Sequence, residues 1–177
     1  MLGVLASTAL PWDLIDIWQV DERVAPDGDP DRNAGQLDAV PGTHHLMPVT
    51  AVDLDAAVVG YAADLPERFD VVHLGIGPDG HTASWPPGDP VMVSDDLVAL
   101  AGPYQGRIRM TLTPKVVDAA RGRVVLVRGA DKAAPVAAWL EGDAPPTEIP
   151  IARVRRTDTV VVLDPAAASR LTGATVW

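Results

Sequence analysis

Short apolar runs alternate along this chain with segments of helical pattern. Continuous apolar runs of a few residues are typical of buried strands, and apolar residues three or four apart are typical of helices. Strand patterns occur at 15–20, 45–49, 71–76, 97–101, 109–112, 124–127 and 160–163. Helical patterns occur at 1–9, 34–37, 53–63, 115–120, 131–140 and 165–171. The alternation predicts an α/β domain with a mostly parallel sheet.

Residues that favour helix ends support several of these boundaries. Asn33, Asp53 and Asp131 each precede a helical pattern and are good N-cap residues. Pro114 and Pro165 suit the first turn of a helix, where proline costs no hydrogen bond. We therefore expect helices to begin at these points.

The stretch 70–89, DVVHLGIGPDGHTASWPPGD, combines a strand pattern with a glycine-rich loop. Gly75, Gly77 and Gly80 permit sharp turns and close approach of a ligand. His81 then lies just past the carboxyl end of the strand, which is where ligands bind in open α/β sheets. Histidine exchanges protons near neutral pH. The residues alone leave two interpretations open: acid–base catalysis, or a histidine that only completes the loop.

The same loop satisfies G-x-G-x-x-G, but it does not predict a dinucleotide site. A Rossmann site needs a helix directly after the third glycine. Pro86, Pro87 and Pro90 curtail any helix after His81. Binding of NAD is therefore not expected.

A second candidate is the polar triplet Asp21-Glu22-Arg23, which follows the apolar run at 15–20. Its position predicts side chains at the end of a strand, as for His81. A solvated ion cluster is the ordinary fate of such charges, and that interpretation stays open beside a binding role.

Composition excludes several classes of function. The chain has 177 residues, enough for a single domain, and its formal net charge is −10. That charge argues against a general surface for nucleic acid or acidic membranes, so an anionic ligand would need locally placed cations. With no cysteine, disulfides and thiolate chemistry are excluded. No apolar run approaches the ~20 residues of a membrane span, and no basic segment precedes the apolar start, so a cytoplasmic protein is expected.

Other aromatic and histidine side chains are given structural roles. Core or edge packing is expected for Trp12, Trp18, Trp139 and Trp177. No metal site is expected at His44, His45 and His73, because adjacent histidines rarely point at one ion.

Five segments, taken in order, resemble the 6-phosphogluconolactonase family of the glucosamine/galactosamine-6-phosphate isomerase superfamily. They are WQVDERVAPDGDPDRN, LGIGPDGHTAS, RMTLTPKVVDAA, VRGADK and VVVLDPAAASRL, and they span 18–171. The resemblance implies a three-layer fold like that of sugar-phosphate isomerases and CoA transferases. The related deaminases typically have DEY in place of DER and a GHIAFN-like run in place of GHTAS. Both differences favour the lactonase.

The resemblance implies hydrolysis of 6-phosphoglucono-δ-lactone to 6-phosphogluconate, in the oxidative pentose phosphate pathway, without cofactor or metal. His81 would be the general base, oriented by Asp79. Backbone N–H groups of the glycine turn would form an anion nest. The implied substrate- and phosphate-binding residues are Asp21, Arg23, Gly77, Gly80, Thr82, Arg109 and Lys132.

One departure concerns the start of the chain. Family members usually begin with a strand and a GG-[ST]-x-P turn that helps to hold the phosphate, and this sequence lacks both. We expect an N-terminally truncated domain whose missing strand exposes a sheet edge, so that a homo-oligomer is one possible outcome. Two alternatives stay open: an amino-sugar-6-phosphate isomerase or deaminase, and a non-catalytic sugar-phosphate binder.

Overall fold

The structure, a computed structural model, describes residues 2–173; Met1 and the packing expected of Trp177 lie outside the described residues. Its helices are α1 (Leu2–Ala6), α2 (Leu54–Asp64), α3 (Pro114–Ala119) and α4 (Ala133–Leu140). The first strands are β1 (Asp16–Trp18), β2 (Asp21–Arg23), β3 (Thr43–His45) and β4 (Val71–Leu74). The later strands are β5 (Val98–Tyr104), β6 (Arg107–Leu112), β7 (Gly122–Val127) and β8 (Thr159–Leu163).

Parallel strands flanked by helices form the larger part of the fold, which confirms the α/β class. Strand β7 lies between β4 and β8 and pairs in parallel with both. Strands β1 and β3 form a second parallel pair. Among the described strands, β4 lies at the edge of this sheet, and its first residue, Val71, is 60% exposed. The parallel strands of the described residues thus lie in two sheets rather than one.

The main difference from the sequence prediction is an antiparallel sheet of order β2–β6–β5. Residues 21–23 are not the polar end of an apolar strand, as predicted, but a strand of their own, with Glu22 opposite Met110. Strands β5 and β6 form a hairpin whose turn residues, Gln105 and Gly106, have φ of 51° and 79°. Positive φ at both positions is typical of a tight hairpin turn.

One apolar core contains residues of both the antiparallel sheet and the β4–β7–β8 sheet, together with residues of the loop that follows β4. Met110, Leu112 and Val125 are at most 1% exposed. Trp85, four residues after His81, is fully buried and donates its indole N–H to the carbonyl of Leu112 at 2.8 Å. Burial of this large ring fixes the chain just after His81 against β6.

Local predictions were confirmed at some helix ends and wrong at others. Asp53 caps α2 by accepting the N–H of Ala56 at 2.9 Å, and α3 begins at Pro114. Asp131 does not cap α4 but lies in a 3₁₀ turn, Ala130–Lys132. The segment 165–170 forms turns instead of a helix. The carboxylate of Asp164 accepts the N–H groups of Ala167 and Gly129 there and holds the turns.

Several remaining side chains have structural surroundings. Trp139 is 3% exposed, as expected for core packing. Trp18 stacks on His45 with ring centroids 3.8 Å apart, and His45 contacts Asp16 at 2.9 Å. In the described part of the chain, no cluster of three or more His, Asp or Glu side chains is placed to hold a metal ion. No helix among residues 2–173 has the length and hydrophobicity needed to cross a membrane.

Candidate active site

The loop after β4 folds back on itself around Gly77. The N–H of Gly77 donates to the carbonyl of His81 at 2.8 Å, and the N–H of Gly80 donates to the carbonyl of Gly77 at 3.0 Å. The imidazole of His81 lies directly against the Cα of Gly77. A Cβ at that position would be 2.9 Å from Nε2 and closer still to Nδ1 and Cε1. The glycine is therefore needed for the close approach of the imidazole.

His81 and Asp79 form a close pair on this loop. Oδ1 of Asp79 lies 2.6 Å from Nδ1 of His81 and also accepts the backbone N–H of His81 at 3.2 Å. A carboxylate can only accept, so Nδ1 carries a proton, and Nε2 is the nitrogen with the free lone pair in the neutral form of the imidazole. The His81 side chain is 21% exposed, which leaves the imidazole accessible. This arrangement is suited to a general base at Nε2.

Tyr104, which sequence reasoning missed, completes this pair. Its hydroxyl donates to Oδ2 of Asp79 at 2.6 Å and lies 3.1 Å from Nδ1 of His81. Burial raises the pKa of Asp79, but the hydrogen bonds from Tyr104 and His81 outweigh burial and leave that pKa below its ordinary value. Burial, followed by the bond to Asp79 and its charge, raises the pKa of Tyr104 to about 12. Asp79 is therefore ionised and Tyr104 protonated at neutral pH.

Arg109 places a buried cation beside this cluster. It is 3% exposed, and its Cζ lies 5.0 Å from the centroid of the Tyr104 ring. Its Nη2 donates to Oε1 of Gln105 at 3.1 Å, whereas its Nε has no hydrogen-bond partner among residues 2–173. Burial, followed by repulsion from Arg23, lowers the pKa of Arg109, but arginine stays charged in proteins. A buried guanidinium with spare donor capacity is suited to an anionic group.

Asp21 connects strand β2 to the segment after His81. Its Oδ2 accepts the hydroxyl of Ser84 at 2.7 Å and lies 3.3 Å from Nδ2 of Asn33. Burial raises the pKa of Asp21 and outweighs the opposing effects of Ser84, Arg109 and Arg23. Arg23 itself donates to the side chain of Asn33 at 2.9 Å and to the carbonyl of Asp31. Asp21 therefore borders the segment that follows His81, whereas the side chain of Arg23 is bonded to the loop after β2.

Glu22, the middle residue of the triplet, is buried and holds the following loop together. Its carboxylate accepts the N–H groups of Asn33 and Ala34 at 2.7 and 2.8 Å. It also accepts from Gln19 at 2.9 Å and forms an ion pair with Arg32 at 3.0 Å. Hydrogen bonds, chiefly from Asn33, outweigh the effect of burial and lower the pKa of Glu22. Its surroundings indicate a structural role.

The other predicted residues are placed with mixed outcomes. Thr82 is 1% exposed, and its Oγ1 has no hydrogen-bond partner within the described chain. Lys132 follows β7, at the same sheet edge as the loop after β4, and pairs with Asp131. The N–H groups of Gly77 and Gly80 bond within the loop, so the expected anion nest is not free at these two positions.

Comparisons with known proteins agree on one family. Residues 1–163 match the family model described as glucosamine-6-phosphate isomerases/6-phosphogluconolactonase. A 6-phosphogluconolactonase from Streptomyces coelicolor is 37% identical over 97% of this chain and 76% of its own length. One from Synechocystis is 30% identical over 94% of this chain and 78% of its own length. The crystal structure of a 6-phosphogluconolactonase from Thermotoga maritima superimposes with a TM-score of 0.81 at 25% identity, covering 92% of this chain and 78% of that one.

Proposed function

Because this chain belongs to the glucosamine-6-phosphate isomerase/6-phosphogluconolactonase family, we propose that it hydrolyses 6-phosphoglucono-δ-lactone to 6-phosphogluconate. That reaction belongs to the oxidative pentose phosphate pathway. The observation that carries the proposal is the accessible imidazole of His81, fixed by Asp79 at 2.6 Å, with the buried cation of Arg109 on the ring of Tyr104, which contacts both residues. A base beside an anion-binding group is what a phosphorylated lactone requires.

His81 acts as the general base for water. Its Nε2 takes a proton as the water oxygen bonds to the lactone carbonyl carbon. The bond between that carbon and the ring oxygen then breaks, and the imidazolium returns the proton to the departing oxygen. Asp79 stabilises the imidazolium between these steps, since it lies against Nδ1 and is ionised at neutral pH. A lactone is an activated ester, so no cofactor is needed.

The phosphate of the substrate is held by arginine and lysine side chains. Arg109 is the main candidate, because it is buried and its Nε is unpartnered among the described residues. Arg23 and Lys132 add positive charge, although each already has a partner in this structure. Arginine can bind phosphate with two parallel bonds, whereas lysine acts as a point charge.

We assign the contacts with the sugar to residues on or beside the loop that follows β4. Asp21 is tied to Ser84, and Thr82 directly follows His81. Gly77 and Gly80 hold the backbone of the loop in place. We assign Asp21, Thr82, Gly77 and Gly80 to the sugar-phosphate site because they lie on the loop that carries His81 or are bonded to it. A cytoplasmic location and a homo-oligomer remain predictions from the sequence.

Two parallel assays test the proposal. Purified protein is given 6-phosphoglucono-δ-lactone, and acid release is followed after the spontaneous rate in buffer is subtracted. The same protein is given glucosamine 6-phosphate, and ammonia release is followed. We expect rapid lactone hydrolysis and no ammonia. Ammonia release would favour the deaminase, and calorimetric binding of 6-phosphogluconate without turnover would favour a non-catalytic binder.

A further inference from the structure

Tyr104 contacts both members of the His81–Asp79 pair from a distant part of the chain. It is the last residue of β5, where the hairpin turn begins. Its hydroxyl is 2.6 Å from Oδ2 of Asp79 and 3.1 Å from Nδ1 of His81. Its ring meets the imidazole edge-on, with centroids 5.2 Å apart and planes inclined by 64°. These contacts restrain the carboxylate and the imidazole together.

Tyr104 is itself held on two sides. Nε2 of Gln105 donates to its hydroxyl oxygen at 3.2 Å. The guanidinium of Arg109 lies over its ring at 5.0 Å, a distance at which cation and ring attract each other. Because Gln105 donates to the hydroxyl oxygen and Asp79 is ionised, the hydroxyl proton is directed at Oδ2 of Asp79. The hydrogen bonds therefore run from Gln105 through Tyr104 to Asp79 and His81.

We propose that Tyr104 is a positioning residue for lactone hydrolysis, whose hydroxyl fixes Asp79 and thereby keeps the proton of His81 on Nδ1. With Oδ2 occupied by Tyr104, Oδ1 faces Nδ1 and favours the tautomer in which Nε2 has a free lone pair. Without the hydroxyl, the Asp79 side chain, which is 36% exposed, can turn towards water. The imidazole can then adopt the Nε2–H tautomer, which cannot take a proton at Nε2. This proposal rests on the proposed function, because it takes His81 to be the general base of lactone hydrolysis.

The test compares Tyr104→Phe with Tyr61→Phe. Tyr61, the second of the two tyrosines, is the matched control. Among the described residues its hydroxyl bonds only to the backbone carbonyls of Gln19 and His45, at 3.2 and 3.0 Å. For Tyr104→Phe we expect kcat on the lactone to fall about tenfold, the loss of one hydrogen bond to a charged group, with KM within about twofold. Tyr61→Phe should leave kcat and KM unchanged.

A second measurement separates positioning from a general loss of structure. Nitrogen-15 NMR of the histidine rings, in alkaline buffer where they are neutral, reports which ring nitrogen of His81 carries the proton. We expect Nδ1–H in the native protein and in Tyr61→Phe, and a mixture of tautomers in Tyr104→Phe.

The outcomes are decisive in each case. An unchanged His81 spectrum in Tyr104→Phe would overturn the proposal, whether or not kcat falls. A rise in KM at constant kcat would also overturn it, since it would indicate a substrate contact. If the native protein does not hydrolyse the lactone, the proposed function fails, and the NMR comparison still decides whether Tyr104 positions His81.

Discussion

Gly77→Ala tests the placement of His81 without changing any titratable group. The new Cβ would be 2.9 Å from Nε2 of the imidazole and nearer to Nδ1 and Cε1. Since non-bonded carbon atoms prefer roughly 3.5 Å, the ring would have to move by about 1 Å or more. Such a shift would break the 2.6 Å contact between Nδ1 and Asp79. A misplacement of about 1 Å can cost about 10²-fold in rate, and we expect a loss of kcat of that order.

The matched control is Gly75→Ala, two residues earlier on the same loop. Within residues 2–173, a Cβ there would meet only the carbonyl oxygen of Leu126, at 3.8 Å, which is an ordinary contact. We expect its kcat to match that of the native protein. Steady-state lactone hydrolysis is measured for both variants, with thermal melting to show that each is folded. Native kcat in folded Gly77→Ala would refute the placement of the imidazole.

Three further predictions concern stability, phosphate binding and association. Glu22→Gln removes the buried partner charge of Arg32, which keeps only its ion pair with the exposed Asp27, and we expect a loss of about 3 kcal/mol in the free energy of unfolding at neutral pH. Because folding lowers the pKa of Glu22 from 4.5, the stability difference between the native protein and the variant has its full size above pH 4.5 and shrinks as the pH falls through the lowered pKa. A stability difference that stays constant through an acid denaturation series would contradict this prediction. Arg109→Gln should raise the KM for 6-phosphoglucono-δ-lactone about tenfold or more and leave the KM for glucono-δ-lactone unchanged. Arg107→Gln is the control, because the Arg107 guanidinium is paired with Asp29 and Asp31, and it should change neither KM. Equal effects of Arg109→Gln on both lactones would exclude a phosphate contact. The open edge of β4 predicts concentration-dependent association in light scattering, and a monomer at all concentrations would contradict it.

The part of the site that is local in sequence could be predicted. Asp79 and His81 are two residues apart around Gly80, so a single loop brings them together. The glycine density was also a useful signal, because Gly77 is needed for the approach of the imidazole. The prediction of Arg109 as a phosphate ligand remains untested, but its burial beside the cluster is compatible with that role.

The part built by distant residues could not be predicted from these patterns. Tyr104 follows Asp79 by 25 positions and reaches it only because β5 and β6 form a hairpin. The Gln105-Gly106 pair was the available signal for that turn. Strand β2 was missed for a different reason. Its Glu22 is buried among hydrogen-bond donors, and a hydrophobic pattern does not detect a strand stabilised by polar contacts.

The prediction of a helix at 165–171 shows how one side chain can override a helical pattern. Its alanines favour a helix. The Asp164 carboxylate instead accepts the N–H groups of Ala167 and Gly129, which fixes the segment as turns against the end of β7. The bond from Ala167 to Asp164 is local in sequence, but the bond from Gly129 to Asp164 joins residues 35 positions apart, which a local pattern does not reveal.

The most direct test of the account is the value of kcat for His81→Gln in lactone hydrolysis. If the imidazole is the general base, kcat falls by about 10²–10⁴-fold. His73→Gln serves as control, since His73 lies on β4 outside the proposed site, and it should retain native kcat. Loss of activity in His81→Gln alone, with both variants folded, is the predicted result. A native rate in His81→Gln would contradict the account.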